Sequence, residues 1–190
     1  MRSLPLEAFC SQLAARTPTP GGGSVAALSG ALACSLGAMV ARFSKDDPSA
    51  ATWDITRDRF LDLILEDSQA YDGVSAVFKI PKDDPARPGR MQEALLRAAQ
   101  PPAEGLRRIA EFVGQLAEFA PKAKGSVASD LSVAAFQSEA AARGFLLNVK
   151  ANTGSLKDRE AAGRLEAEAG ALLEKVLDGV RRVREAAHGS

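Results

Sequence analysis

Residues Pro18–Arg42, PTPGGGSVAALSGALACSLGAMVAR, join three consecutive glycines to a run with no charged residue from Val25 to Ala41. Pro20 cannot sit inside a helix, and Gly21, Gly22 and Gly23 admit backbone angles that a side chain forbids. A helix is therefore predicted to start with Ser24 as its N-cap. The free N–H groups and the positive dipole end of such a start can meet an anion or a polar edge at close range, so Gly21, Gly22, Gly23 and Ser24 are candidate binding residues. The phosphate-cradling loop of nucleotide hydrolases needs a Lys-Ser/Thr pair after the last glycine and a strand before the first. Here Ser24-Val25 follows instead, which argues against nucleotide binding. The uncharged run is also short of the about 20 residues of a membrane span and rich in Ala, Gly and Ser rather than Leu, Ile and Phe. A buried central helix is expected, with Ala26, Gly30, Gly37 and Ala41 as points of close approach to neighbours.

Outward from this stretch the periodicity stays helical, and proline and glycine punctuate it. Ser3 can cap a first helix striped by Leu6, Phe9 and Leu13. A long helix over about 50–79 carries Trp53, Phe60, Ile64, Tyr71, Val74 and Phe78, and Ile80-Pro81 ends it. A shorter one near 91–99 stops at Pro101-Pro102, and these prolines suit the first turn of the next helix, striped by Leu106, Ile109, Val113 and Leu116. A sixth from Ser129 shows Leu131, Ala135, Ser138, Ala142, Phe145 and Val149 on one face, with Gly154 at its end. Ser155-Leu156-Lys157-Asp158 resembles a capping box before a last helix striped by Leu165, Ala169, Leu172, Val176, Val180 and Val183. The expected architecture is all-α: one domain over 1–190, a bundle of about seven helices with long central ones. The last helix, about 45 Å long, exceeds what a compact domain of this size needs, which points to packing against a second copy as a homodimer.

Composition narrows the function. The 24 basic and 24 acidic residues among 190 balance, so nothing in the charge favours a nucleic-acid or anionic-membrane partner. Cys10 and Cys34 each fall on the apolar side of a helical pattern, consistent with reduced, buried thiols in a cytoplasmic protein. Residues 1–16 contain no signal-type apolar core. His188 is the only histidine and lies at the C-terminus, which leaves no basis for a zinc site or a His-activated nucleophile. No metal ligand is assigned, and acid–base work falls to Asp, Glu, Lys or Tyr. Asp67 lies in the stripe of the 50–79 helix and points inward, so its carboxyl must be paired, hydrogen-bonded or raised in pKa; an Arg or a helix terminus could satisfy it, or it could transfer protons. Asp72 faces solvent. Asp130 opens a helix, where a carboxylate is favoured by capping alone or could serve chemistry. Lys82 and Lys124 flank these motifs and could hold a carboxylate tail.

The ordered set of segments resembles the cyclodeaminase/cyclohydrolase family of tetrahydrofolate one-carbon metabolism. Pro18–Ser24 is similar to its P-T-P-G-G-G-S signature, Asp67–Val74 to its D-x-x-A-F/Y-x-x-V segment and Ile80-Pro81-Lys82 to its L-P-K. Ser129–Ala135 is similar to its S-D-x-x-V-A-A, and Leu147-Asn148-Val149 to its L-N-V. Two departures stand out: residues 123–128 lack both asparagines of the family's G-N-x-N element, and Gly37 replaces a residue that is often polar. The resemblance implies a reduced folate as substrate, no separate cofactor, Asp67 and Asp130 as catalytic residues, and Gly21–Ser24, Ser129 and Lys124 as substrate-binding residues. It implies cyclodeamination of 5-formiminotetrahydrofolate to 5,10-methenyltetrahydrofolate and ammonia. The alternatives are hydrolysis of 5,10-methenyltetrahydrofolate to 10-formyltetrahydrofolate, and a non-catalytic helical dimer that has lost the site.

Overall fold

The computed structural model describes residues 4–45, 47–123 and 127–188. Among them there is no strand. The helices are α1 (Leu6–Leu13), α2 (Gly22–Phe43), α3 (Ser49–Phe78), α4 (Arg87–Ala98), α5 (Gln100–Phe119), α6 (Ala128–Thr153) and α7 (Arg159–His188), with a 3-10 turn at Ala120–Lys122. The all-α expectation agrees with this order. The count needs one correction, because α4 and α5 are separated by Ala99 alone, which keeps helical angles (φ −78°, ψ −16°). Its N–H bonds the Leu95 carbonyl, and its own carbonyl accepts from Ala103 N–H. The seven segments therefore make six rods, one of them jointed where Pro101 and Pro102 supply no N–H.

Four helices lie side by side in the order α3, α2, α6, α7, and α5 backs all of them from one side; α4 closes against α3, α5 and α6. Small residues set the spacing, since a Cβ on Gly30 would stand 2.9 Å from the Phe60 ring and one on Gly37 3.0 Å from Phe112. The aromatic rings thus press on the α2 backbone itself. Trp53 meets Phe112 and Phe119 edge-on at 5.5 and 5.4 Å, and Phe60 stacks on Phe145 at 6.1 Å. The expected stripes of α5 and α6 are buried throughout. In α3, Tyr71 and Phe78 depart from the stripe and are exposed, because α2 covers α3 only as far as Asp67 and Ser68 and the shorter α4 packs on the remainder.

Three further expectations change. Asp158, not Ser155, starts α7, its Oδ1 accepting the Ala161 N–H at 2.9 Å. Cys34 is buried but Cys10 is exposed, since α1 is short and buries Phe9 alone. The length of α7 gives no support to a dimer, because its apolar positions from Ala169 to Val183 are covered by α6 and α5 of the same chain. The Ser3 cap and Lys124 lie outside the described residues. Of the described helices α2 is long and apolar enough to cross a membrane by composition, yet 61% of its apolar window is buried inside the protein.

Candidate functional site around Asp67

The start of α2 is one turn earlier than the sequence suggests. Gly21 is the N-cap, in extended conformation (φ −132°, ψ −157°), so Ser24 falls inside the first turn. The correction has a polar cause. Ser24 is fully buried, and its hydroxyl donates across to α3, to Asp67 Oδ2 at 3.0 Å, rather than back to its own helix end. Ser68 stands 3.4 Å from the same hydroxyl and donates to the Ile64 carbonyl. The Ser24 backbone N–H also bonds the Asp67 carboxylate. Asp67 therefore sits over the positive end of the α2 dipole, the arrangement expected for an anion bound at a helix start.

Gly23 makes this approach possible. A Cβ there would fall inside the Asp67 carboxyl group, 2.8 Å from its Oδ2. Opposing effects act on the acid: burial pushes its pKa above the ordinary 3.8, while the hydrogen bonds from Ser24 pull it back only in part. Among the described residues no guanidinium is paired with it. Arg59, eight residues earlier on α3, binds Glu66 and Glu104, meeting Glu104 Oε2 at 2.7 Å, and the hydrogen bonds from Arg59 and Arg108 hold Glu104 down at about 2.

Beside Asp67 opens a cavity of about 200 Å³, walled by Gly21–Gly23, Tyr71, Asn148 and Asn152, with Pro18 and Thr19 at its edge. The Thr19–Pro20 peptide bond at that edge is cis. Asn148 comes from the last third of α6, next to Gly22, and donates to the Gly144 carbonyl at 2.8 Å, leaving its amide oxygen for the cavity. Asn152 donates to the Ala98 carbonyl at 2.9 Å. That carbonyl lies four residues before Pro102, which has no N–H to offer it. Two other hollows, of about 220 Å³ at Gln115 and Lys122 and about 400 Å³ along the α3–α4 seam, involve neither the glycine turn nor Asp67.

The structure brings together Gly21, Gly22, Gly23, Ser24 and Asp67, as the sequence suggests. It separates the other group. Ser129 and Asp130 lie in the first turn of α6, Asp130 eighteen residues before Asn148 on the same helix. At the helical rise that is about 27 Å, so within one chain Asp67 and Asp130 do not share a site. Lys124 falls outside the described residues. Asn148, Asn152 and Tyr71 were not singled out as site residues from the sequence, although an asparagine amid the apolar Leu147-Asn148-Val149 was a usable signal.

This scaffold is that of the helical folate one-carbon enzymes. A crystal structure of formiminotetrahydrofolate cyclodeaminase from Thermotoga maritima matches it with a TM-score of 0.89, at 27% identity over 98% of this chain and 97% of that one. The chain belongs to the formiminotransferase-cyclodeaminase family, whose model matches residues 5–171. A methenyltetrahydrofolate cyclohydrolase from Methylorubrum extorquens is 31% identical, over 93% of this chain and 95% of its own length. The formimidoyltransferase-cyclodeaminase of Rattus norvegicus is 30% identical over 80% of this chain, which aligns with 31% of that longer protein.

Proposed function

We propose that the protein catalyses cyclodeamination of 5-formiminotetrahydrofolate to 5,10-methenyltetrahydrofolate and ammonia, without a metal or organic cofactor. The observation that carries the reading is Asp67, an acid raised by burial, held by Ser24 and facing a cavity. In this reaction N10 attacks the formimino carbon and loses its proton, and the bond from that carbon to the formimino nitrogen breaks. The departing nitrogen needs two protons to leave as ammonia, one derived from N10 and one from solvent. A carboxyl with a raised pKa can take the first and deliver both in turn. The same group, once ionised, faces the cationic methenyl product.

The cavity is smaller than the about 300–1,000 Å³ of pockets that enclose a drug-sized ligand. It suits the pterin head, with the benzoylglutamate tail outside. The amide oxygen of Asn148 can accept from a ring N–H, and Gly22 leaves room for the ring edge. A second reading, hydrolysis of the methenyl compound, is favoured by the near-full-length likeness to the Methylorubrum cyclohydrolase. The purified protein should release ammonia from 5-formiminotetrahydrofolate with matching formation of the methenyl product. Turnover of 5,10-methenyltetrahydrofolate alone would move the assignment to the hydrolase, and no turnover of either would leave a non-catalytic scaffold.

A further inference from the structure

Four oxygens lie together where the start of α2 meets α3. The Ser24 hydroxyl is 3.0 Å from Asp67 Oδ2, 3.3 Å from the Ile64 carbonyl and 3.4 Å from the Ser68 hydroxyl, and Ser68 is itself 3.2 Å from the Ile64 carbonyl. Ser24 is fully buried and Ser68 is 5% exposed, so both hydroxyls find their partners inside the protein. Ser24 carries one hydroxyl proton and has two acceptors for it, a carboxyl and a carbonyl.

Buried serines that only pack look different. Ser35 and Ser138 also turn their hydroxyls onto the carbonyl four residues back, at 2.7 and 2.8 Å, and have no second polar partner among the described residues. Ser68 holds its carbonyl at the longer distance while staying within reach of Ser24. The direction of these bonds follows the charge on Asp67. An ionised carboxylate is the stronger acceptor, so Ser24 donates to Oδ2 and Ser68 can donate to Ser24 Oγ, each bond strengthening the next. A neutral carboxyl is a weaker acceptor, and with its proton on Oδ2 it becomes the donor; the Ser24 hydroxyl then turns to the Ile64 carbonyl. In a regular helix that carbonyl also accepts the N–H of residue 68, so it is satisfied in either setting. A backbone carbonyl cannot take up a proton and pass it on. The hydroxyls therefore turn without conducting, and protons reach Asp67 from the cavity.

We propose that Ser24 and Ser68 are positioning residues forming a hydrogen-bond switch, which donates to Asp67 when it is charged and turns to the Ile64 carbonyl when it is neutral, so that the acid keeps its place through each change of protonation. Ser24, expected from the sequence to bind substrate, acts instead through Asp67. No charged side chain competes for this control. The start of α2 gives the cavity glycine backbone, α6 gives Asn148 and Asn152, the α4–α5 joint gives Ala98, and Tyr71 of α3 is the other ionisable residue lining it. Glu66, next to Asp67 in the chain, is turned to Arg59. The consequence for turnover rests on the folate reading above; the switch does not.

The Asp67 carboxyl can be titrated without substrate, by carbon NMR of aspartate-labelled protein, with Asp67→Asn identifying its signal. Ser24→Ala should move the Asp67 midpoint upward by about one pH unit, and Ser68→Ala should move it the same way by less. Ser68→Thr keeps the hydroxyl and should restore the parent midpoint. Ser138→Ala removes an equally buried hydroxyl from α6 and should leave the midpoint in place. The pH profile of turnover should shift upward in the same order. A midpoint unmoved by Ser68→Ala, not restored by Ser68→Thr, or moved as far by Ser138→Ala overturns the switch, and these three variants decide the matter even where Ser24→Ala fails to fold. If wild-type protein turns over neither folate while the midpoints shift in this order, the functional reading fails and the switch stands.

Discussion

Gly23 and Gly30 stand two turns apart on α2 and both are glycine for lack of room, yet different groups fill the space. At Gly30 it is the Phe60 ring; at Gly23 it is the Asp67 carboxyl group. The first contact is core packing, in which apolar matter excludes water. The second brings an ionisable group against helix N–H donors beside an open cavity. A run of small residues therefore carries two messages, and what distinguishes them is the polarity of the neighbour on α3.

The sharpest way to break this contrast is at the polar end. Asp67→Asn keeps the size and can still accept from Ser24, but it cannot carry a proton; turnover should fall on the order of 10²-fold or more while the fold persists. Gly23→Ala should approach the same loss, because the new methyl evicts the carboxyl group from its place over α2. Unchanged steady-state rates in both would show the cavity to be idle. At the packing end, Gly30→Ala should cost about 1–3 kcal/mol of stability through overpacking against Phe60, with turnover per folded molecule retained. Denaturant melts beside activity measurements separate the two glycines.

A smaller effect is expected at the cavity wall. Asn152→Leu leaves the Ala98 carbonyl without its donor and should lower stability by about 1 kcal/mol, readable as a shift in the urea midpoint. The smallest effect concerns pH. Because burial raises Asp67 above 3.8, the folded state holds its proton over a window that starts near that value, and stability there declines as pH rises until the folded carboxyl has ionised. Asp67→Asn should remove this component, so melts of mutant and parent should shift in the mutant's favour from pH 4 to pH 7. A difference that is constant with pH would contradict the raised carboxyl.

Much of the fold was legible because its determinants are local. Pro81, Pro101, Pro102 and Gly154 end or start helices wherever they stand, and the apolar repeats of α5 and α6 give the buried faces directly. The site was legible in halves. Helical period alone turns Asp67 inward, and three glycines before a small-residue run identify a close approach. What period cannot supply is the distance between elements. Ser24 reads locally as a cap and becomes a strut to α3 only because Asp67 and Ser68, more than forty residues on, lie across from it. Asp130 reads locally as a helix-start residue and becomes a companion of Asp67 only through the resemblance, yet the direction of α6 carries it about 27 Å from Asn148, away from the Asp67 cavity.

The joint between α4 and α5 has a consequence for what the cavity can admit. Ordinary helical walls resist opening because each residue's displacement breaks a backbone ladder. Here the prolines have already interrupted the ladder, and side-chain bonds close the wall instead: Asn152 donates to the Ala98 carbonyl, and Gln92 of α4 donates to the Ser155 carbonyl and accepts from the Lys157 N–H. At the Ala98 carbonyl itself, the Asn152 donor can be exchanged for water or for a ligand's own N–H at a net change of about 1 kcal/mol. The cavity wall thus presents, at one point, a carbonyl whose partner is a side chain rather than a backbone ladder, a place where an entering molecule can take over a bond instead of leaving it unmade.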